Sequence, residues 1–387
     1  MLRRLAAISA ALAFLIAATR VETARRPRYG GVLRVELAAA VRPLDATPVS
    51  TSAGELNAKD ELNALIQGRK AAGGTPTYVA PFTMAEWEPG KHATLMANQN
   101  ASGGRPFVDA VQIQMGRAAR DSLLDLELGR ADLAKIPVEQ ARRAADSGVR
   151  VSLSQPDELL AMIFLAGRAA TEDARVREAL AAAIERASIV NFILQKNGEA
   201  AGGLLPQWSS GTAFLFPTAA NPGRAKELWA QIPGAPKLVL GYDSSDPLEQ
   251  SVAERIVVNA REAAISVTAQ AMSAGGPIAA GADTILIRLR MPSPAPRAAL
   301  MNFLAAFGPA ANVDASSLAD PASPQEIYDR ERAIVSTYRV VPLVWLPQVY
   351  GLSARVRNWK APGPGEPWPL ADVWLDTQSE GAQKETQ

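Results

Sequence analysis

The groups best spaced for acid–base work in this sequence are two carboxylate pairs, Glu172 beside Asp173 and Asp243 close before Asp246. Paired carboxylates serve glycoside hydrolysis when one donates a proton and the other attacks or activates water. Both pairs, however, stand where helices should begin. Glu172 and Asp173 precede an apolar stripe and suit the positive end of a helix, while Ser245-Asp246-Pro247 reads as an N-cap followed by a first-turn proline. Nucleophilic catalysis has less support still. Any Ser-His-Asp arrangement must use the single histidine, His92, and no Gly-x-Ser-x-Gly elbow occurs. His92 follows the Pro89-Gly90 turn and reads as a solvent-facing strand residue. The absence of cysteine removes thiol nucleophiles, thiolate metal sites and disulfides, and one histidine cannot build a His-Glu-x-x-His zinc site. With no Walker loop and no Gly-x-Gly-x-x-Gly, nucleotide binding has no support either. The expectation is a chain without catalytic residues, bound metal or cofactor.

At 387 residues, with 48% hydrophobic and 20% charged side chains, the composition is that of a globular chain of two or three domains. Residues 1–24 read as a secretory signal peptide. Arg3 and Arg4 lead an apolar run over residues 5–18, and Thr23-Ala24 offers small residues for cleavage near Ala24. That run, about 14 residues long, falls short of the roughly 20 that span a bilayer. The Arg pair matches a twin-arginine signal only weakly, and Asn100-Ala101-Ser102 is a glycosylation sequon of a kind frequent by chance. With no cysteine to carry a lipid, the exported chain is expected to be free in the periplasm. Losing the signal removes three Arg and one Glu and moves the formal charge from +1 to about −1, so neither nucleic acid nor an anionic membrane is an expected partner.

Hydrophobic patterning places the elements. Residues 32–37 read as a strand, residues 55–67 as a short helix, residues 78–96 as two strands about the turn Glu88-Pro89-Gly90-Lys91, and residues 108–115 as a further strand. Leu123, Leu124, Leu126 and Leu128 suggest a mostly buried helix over 118–128, stopped by Gly129. Val149, Val151 and Leu153 alternate in a half-buried strand. From Asp173 onward, Val176, Leu180, Ala183, Ile184 and Ala187 form one apolar helical stripe. A strand at 237–242, a helix at 248–264 and strands at 265–269 and 283–289 make a βαβ arrangement, hence a parallel sheet covered by helices. A last helix over 325–338 runs into the apolar stretch 340–350, whose Pro342 and Pro347 point to an edge strand or a crossing between lobes. Residues 377–387 read as a disordered polar tail.

Four stretches carry a likeness in a fixed order. They are Tyr29-Gly30-Gly31-Val32-Leu33-Arg34-Val35 with Pro43-Leu44-Asp45 behind it; Trp87-Glu88-Pro89-Gly90-Lys91 with Gly103-Gly104-Arg105-Pro106-Phe107-Val108-Asp109; Leu128-Gly129-Arg130-Ala131-Asp132-Leu133-Ala134 leading to Ile136-Pro137; and Asp173-Ala174-Arg175-Val176-Arg177-Glu178-Ala179-Leu180 with Ala183-Ile184-Glu185-Arg186. Pro342-Leu343 and Ala371-Asp372-Val373-Trp374-Leu375 agree with them. Together they resemble the ABC-transporter extracellular solute-binding proteins of family 5, the dipeptide, oligopeptide and nickel binders. The resemblance implies an α/β, bilobal periplasmic binding protein-like fold (type II, cluster C) whose two lobes are joined by a hinge and close on ligand. It divides the chain into a first lobe from residues 25–155, a second lobe from 156–341 and a return segment from 342–376. It also implies a monomer that delivers its ligand to an ABC permease in the inner membrane.

Three departures qualify the likeness. The family's long insertion is absent between Ile66 and Gly73, Leu165 follows Phe164 where the family has asparagine, and Arg288-Leu289-Arg290-Met291-Pro292-Ser293-Pro294 is basic where peptide binders carry an acidic, amine-binding residue. In such a fold the ligand lies at the junction of the lobes, with the chain crossings expected near residues 155–165 and 342–346. Candidate ligand-binding residues are therefore Trp208, in a loop similar to the family's proline-rich loop, and Trp345 and Tyr350 after the second crossing; all three offer rings to wall a ligand, or else pack inside a lobe. Arg288 and Arg290 offer planar forks for a carboxylate, or else lie at solvated strand ends. Trp87 reads as structural. The function implied is capture of a small peptide or related solute, anionic ones included, for ABC import; the missing insertion motivates an alternative, a non-transport ligand sensor or docking protein.

Overall fold

The structure is a computed structural model in which residues 26–41, 69–70, 76–212, 215–273 and 281–376 are described. The expected signal segment, the helix expected over 55–67, the expected polar tail and, apart from residues 69–70, the stretch between Ile66 and Gly73 lie outside the described residues.

An eleven-stranded sheet runs through the molecule. Its principal strands are β1 (Val32–Glu36), β2 (Phe82–Glu88), β3 (His92–Ala97), β4 (Ala110–Gln114), β5 (Leu133–Ile136), β6 (Arg150–Phe164), β7 (Leu238–Asp243), β8 (Val267–Met272), β9 (Thr284–Arg290) and β10 (Val340–Leu352). Their order across the sheet is β8-β7-β9-β6-β10-β5-β1-β4-β3-β2, and the short strand Glu199–Ala200 adds to β10. The helices are α1 (Ala119–Glu127), α2 (Ala141–Asp146), α3 (Ala174–Ala183), α4 (Pro222–Ala230), α5 (Pro247–Glu262), α6 (Pro296–Ala311) and α7 (Pro324–Val335). β1 pairs in parallel with β4 and β5, and β7 in parallel with β8 and β9. Two parallel sets thus flank a central antiparallel pair, β6 and β10, which hydrogen-bonds to both: β6 to β9 and β10 to β5.

Local chemistry explains most boundaries. The Asp246 side chain accepts from the Leu248 and Glu249 amides at the start of α5, with Pro247 in the first turn, and Ser323 and Glu326 cap α7 reciprocally. Asp173 caps α3 by accepting from Arg175 N. The stripe expected to run on to Ala187 is nevertheless cut at Ala183, after which Ile184 is extended. Just beyond the cut, the Arg186 guanidinium is buried, with Nε donating to the Pro342 carbonyl at 2.8 Å and Nη1 donating at 3.4 Å to the Ile184 carbonyl that a continuing helix would use. Of the four leucines expected to bury α1, Leu123 and Leu126 face inward with Ser122 and Asp125, whereas Leu124 and Leu128 are exposed, contrary to a mostly buried helix, as is Leu153 on β6. The helices α4 and α6 were not among the expected elements.

β10 decides between the two readings of its prolines: it is a central strand, buried along its whole length, and a crossing rather than an edge. The ladder tolerates them because its register shifts between Pro342 and Val344 and on both sides of Pro347, where no proline amide is called on to donate. Apolar side chains divide into two clusters. One gathers Leu33, Phe82, Leu95, Val111 and Ile113 with Tyr350, Trp368, Leu370 and Leu375, so residues beyond β10 return to pack beside β1. The other, larger cluster holds Leu159 to Phe164, Leu180, Leu240, Ile256, Phe303 and Val344.

Candidate binding site at the strand crossing

Halfway along the central pair, β6 and β10 pass from one parallel set to the other. Pro156 is paired with Pro347, so neither residue offers an amide and the ladder opens. Side chains fill the gap. The Gln348 amide N–H donates to Ser154 Oγ at 2.9 Å, and Gln348 Nε2 donates to Asp157 Oδ1 at 2.8 Å and to Glu158 Oε2 at 3.2 Å. The Trp208 indole Nε1 donates to the Pro156 carbonyl at 2.9 Å.

β9 brings two arginines to this opening. Arg288 grips Glu158 with two bonds of 2.9 Å from Nε and Nη2, and its Nη1 donates to Asp246 Oδ2 at 2.7 Å. Arg290 Nε donates to Asp157 Oδ2 at 3.1 Å. One frame therefore joins β6, β9, β10 and the N-terminus of α5. Burial works against every charge in it, yet the Arg288 guanidinium, with Lys135 and Gln348, draws the Glu158 carboxyl down to about 2, and the two carboxylates hold Arg288 above its usual range. Asp157, fully buried, goes the other way: burial outweighs Arg290 and Gln348 and raises it. Glu139, in the turn after β5, is raised by burial with the Asp246 charge adding to it, and burial pushes Glu249 up to about 7 against the bond from Asp243 N.

Of the five candidate residues, the structure brings Trp208, Arg288 and Arg290 together at the crossing. The two arginines are not solvated strand ends; each carries a carboxylate, and the Arg288 side chain keeps 32% exposure. Trp345 and Tyr350 lie on β10 but inside the protein, at 3% and 0% exposure. Trp345 packs on Phe303 with ring centroids 6.3 Å apart, and Tyr350 stands edge-on to Trp359 and Trp368 at 5.2 and 5.5 Å. The central position of β10, covered on both faces, makes them packing residues in this structure rather than exposed walls. Sequence reasoning missed Asp157, Glu158, Asp246 and Gln348 as members of the frame. The available signal was three polar side chains, Asp157, Glu158 and Gln348, breaking otherwise apolar runs.

His92 bonds through Nδ1 to Glu88 Oε2 at 3.2 Å on the β2–β3 hairpin, far in the sheet order from this frame. Among the described residues no group of three or more His, Asp or Glu is placed to hold a metal ion, and no helix is long and apolar enough to cross a membrane.

Two parallel α/β sets threaded by a pair of crossing strands define a two-lobed binding-protein fold, and comparison with known proteins agrees. The family described as bacterial extracellular solute-binding proteins, family 5 Middle, matches residues 33–315, and the chain belongs to that family, which is one of non-enzymatic solute-binding proteins. Among curated relatives, the oligopeptide-binding protein AppA of Bacillus subtilis is 28% identical over 129 residues, covering 33% of this chain and 23% of its own. The probable D,D-dipeptide-binding periplasmic protein DdpA of Escherichia coli is 24% identical over 179 residues, or 45% of this chain and 34% of its own. The matched segments thus span a quarter to a third of those relatives. Among solved structures, the periplasmic binding protein DppA of Helicobacter pylori in complex with the peptide STSA has a TM-score of 0.63 at 14% identity, covering 91% of this chain and 99% of that one. NikA of Staphylococcus aureus in complex with Ni(L-His)2 has a TM-score of 0.59 at 16% identity, covering 80% and 71%. The fold is accordingly the mixed α/β, cluster C architecture of peptide-binding proteins.

Proposed function

We propose that this chain is the solute-binding component of an ABC importer, and that it captures a small peptide or related solute where the two parallel sets meet. The observation that carries the reading is the crossing itself. Two continuous strands connect the halves, and their ladder opens at Pro156 and Pro347 beside side chains from both. In this reading residues 25–155 and the return segment 342–376 form one lobe and residues 156–341 the other, and the captured solute passes to an inner-membrane permease outside the cytoplasm.

Within the site, Trp208 walls the solute, Arg288 and Arg290 brace the crossing, and Trp345 and Tyr350 support it from the core. An anionic solute would have to compete with Glu158, Asp246 and Asp157 for the same guanidinium groups, so the geometry favours an uncharged or zwitterionic peptide over a simple anion.

Thermal unfolding of the purified chain with short peptides, the Ni(L-His)2 complex and dicarboxylates tests this, because a ligand that binds only the folded form raises Tm with its concentration. Peptides should raise Tm, and Trp208→Ala should remove most of the rise. Should no peptide shift Tm at millimolar concentration, capture of peptides is abandoned. A rise given by dicarboxylates alone overturns the choice of solute and returns Arg288 and Arg290 to the role of anion receptors.

A further inference from the structure

The Trp208 loop is held from behind by a side chain with no ion-pair partner among the described residues. Glu331, on the inward face of α7, is 1% exposed. Its Oε1 accepts the Leu205 amide N–H at 2.9 Å, and the Leu204 amide also contributes a backbone bond to the carboxylate. Its Oε2 has no hydrogen-bond partner among the described residues. Burial pushes the carboxyl up to about 7 against the pull of the two amides. A buried carboxyl without a cation is costly, and packing alone would be met by an apolar side chain of similar size.

The chain around it is shaped to receive that oxygen. A Cβ on Gly203 would fall 2.5 Å from Glu331 Oε1, so the backbone approaches as closely as glycine allows. Next comes Leu205, then Pro206, which has no amide to offer, and then the short helix Gln207–Ser210 that bears Trp208. Trp208 Nε1 bonds to the Pro156 carbonyl on β6, and Ser209 Oγ to the Pro294 carbonyl after β9. Upstream, the Ala201 amide bonds to the Leu343 carbonyl on β10. The loop therefore leaves β10 at Ala201 and reaches β6 at Trp208, and between those points the Glu331 carboxylate accepts from its backbone.

We infer that Glu331 is a positioning residue, which by gripping the Leu204 and Leu205 amides sets the Trp208 indole on the Pro156 carbonyl at the strand crossing. The consequence for ligand rests on the proposed function above; the positioning does not.

The test begins on ligand-free protein. With indole nitrogen-15 labelling, the Trp208 resonance is assigned by its loss in Trp208→Phe. Glu331→Ala should shift or broaden that resonance and speed hydrogen exchange of the Leu205 amide by about tenfold or more. Glu331→Gln, which keeps an acceptor oxygen in place, should restore both signals, as a general loss of core packing would not. Gly203→Ala, pressing on Oε1 from the backbone side, should displace the same resonance and carries the test if Glu331→Ala does not fold. An unmoved Trp208 resonance in folded Glu331→Ala or Gly203→Ala, or no restoration by Glu331→Gln, overturns the inference. The Tm rise produced by the tetrapeptide Ser-Thr-Ser-Ala is then compared between wild type and Glu331→Ala. A displaced indole with an unchanged peptide effect leaves the positioning role standing and counts against Trp208 as a ligand wall.

Discussion

Two glutamates, Glu158 with its side chain 15% exposed and Glu331 fully buried, show how far a partner decides what withdrawal from water does. Glu158 lies at the strand crossing, gripped by Arg288 and touched by Gln348, and its carboxyl is drawn down to about 2. Glu331 lies under the Trp208 loop with two backbone amides and no cation, and its carboxyl is pushed up to about 7. The same side chain is thus an obligate anion in one place and a group that titrates near neutrality in the other. At the crossing the Arg288 guanidinium keeps Glu158 charged, while the support under the loop is a carboxyl that need not be.

The largest effect that would sharpen this contrast is removal of the common cation. Arg288→Leu leaves Glu158 and Asp246 facing each other with nothing between them, and should destabilise the fold by about 3–5 kcal/mol in urea unfolding. Adding Glu158→Leu should recover much of that loss, since what costs most is the abandoned charge. A single variant that loses under about 1 kcal/mol would mean the pair is no frame at all.

pH provides the next test, because the two glutamates have opposite signs. Glu158 is depressed, so its contribution is complete above its ordinary range and is lost as pH falls from 4.5 towards about 2. Glu331 is raised, so the folded state keeps its proton longer than the unfolded chain does. Its contribution is complete below 4.5 and is lost as pH rises from there to about 7. Each window spans on the order of 3 kcal/mol. Glu331→Gln should remove the share of the alkaline-side decline that belongs to Glu331, the rest remaining with Glu249, and leave the variant more stable than wild type near about pH 8, while Glu158→Gln should lessen the acid-side decline instead. If Glu331→Gln follows the wild-type pH profile throughout, the contrast between the two sites is wrong.

How much of this was legible beforehand follows from the range of the interactions. Asp246 as the N-cap of α5 and Asp173 as the cap of α3 were readable because a cap is settled within three residues. The parallel set of β7, β8 and β9 was readable from strand and helix periodicity, while that of β1, β4 and β5 was not. The choice between an edge and a crossing for β10 was not readable either, since it depends on β5 and β6 lying on either side, while its prolines are compatible locally with both. Arg288 and Arg290 read in the sequence as forks for a solute carboxylate, whereas in the structure they hold carboxylates of the chain itself. Their partners Asp157, Glu158 and Asp246 stand from 42 to 133 positions away, a separation no local pattern records. The same holds for Trp345 and Tyr350, whose ring chemistry fits a ligand wall until Phe303, Trp359 and Trp368 are seen to enclose them.

The smallest effect tests whether contact between the two halves depends on charge away from the crossing. Gly365, in the return segment, holds φ at 72°, and a Cβ there would fall 2.2 Å from the Pro292 carbonyl oxygen that follows β9. Its loop has little freedom to yield. The Glu366 amide bonds to the Gly363 carbonyl at 3.1 Å, the Gly363 amide to Glu366 Oε2 at 2.9 Å, and Pro364 and Pro367 stiffen the rest. Gly365→Ala must therefore strain the backbone and press the loops apart, and should cost about 1–2 kcal/mol in urea unfolding. Because the contact is between backbone atoms, that cost should be the same at high and low salt and on either side of neutral pH, unlike the cost of Arg288→Leu. A penalty that rises and falls with pH would tie Gly365 to the ionic frame and make the two halves meet through a single coupled contact rather than two independent ones.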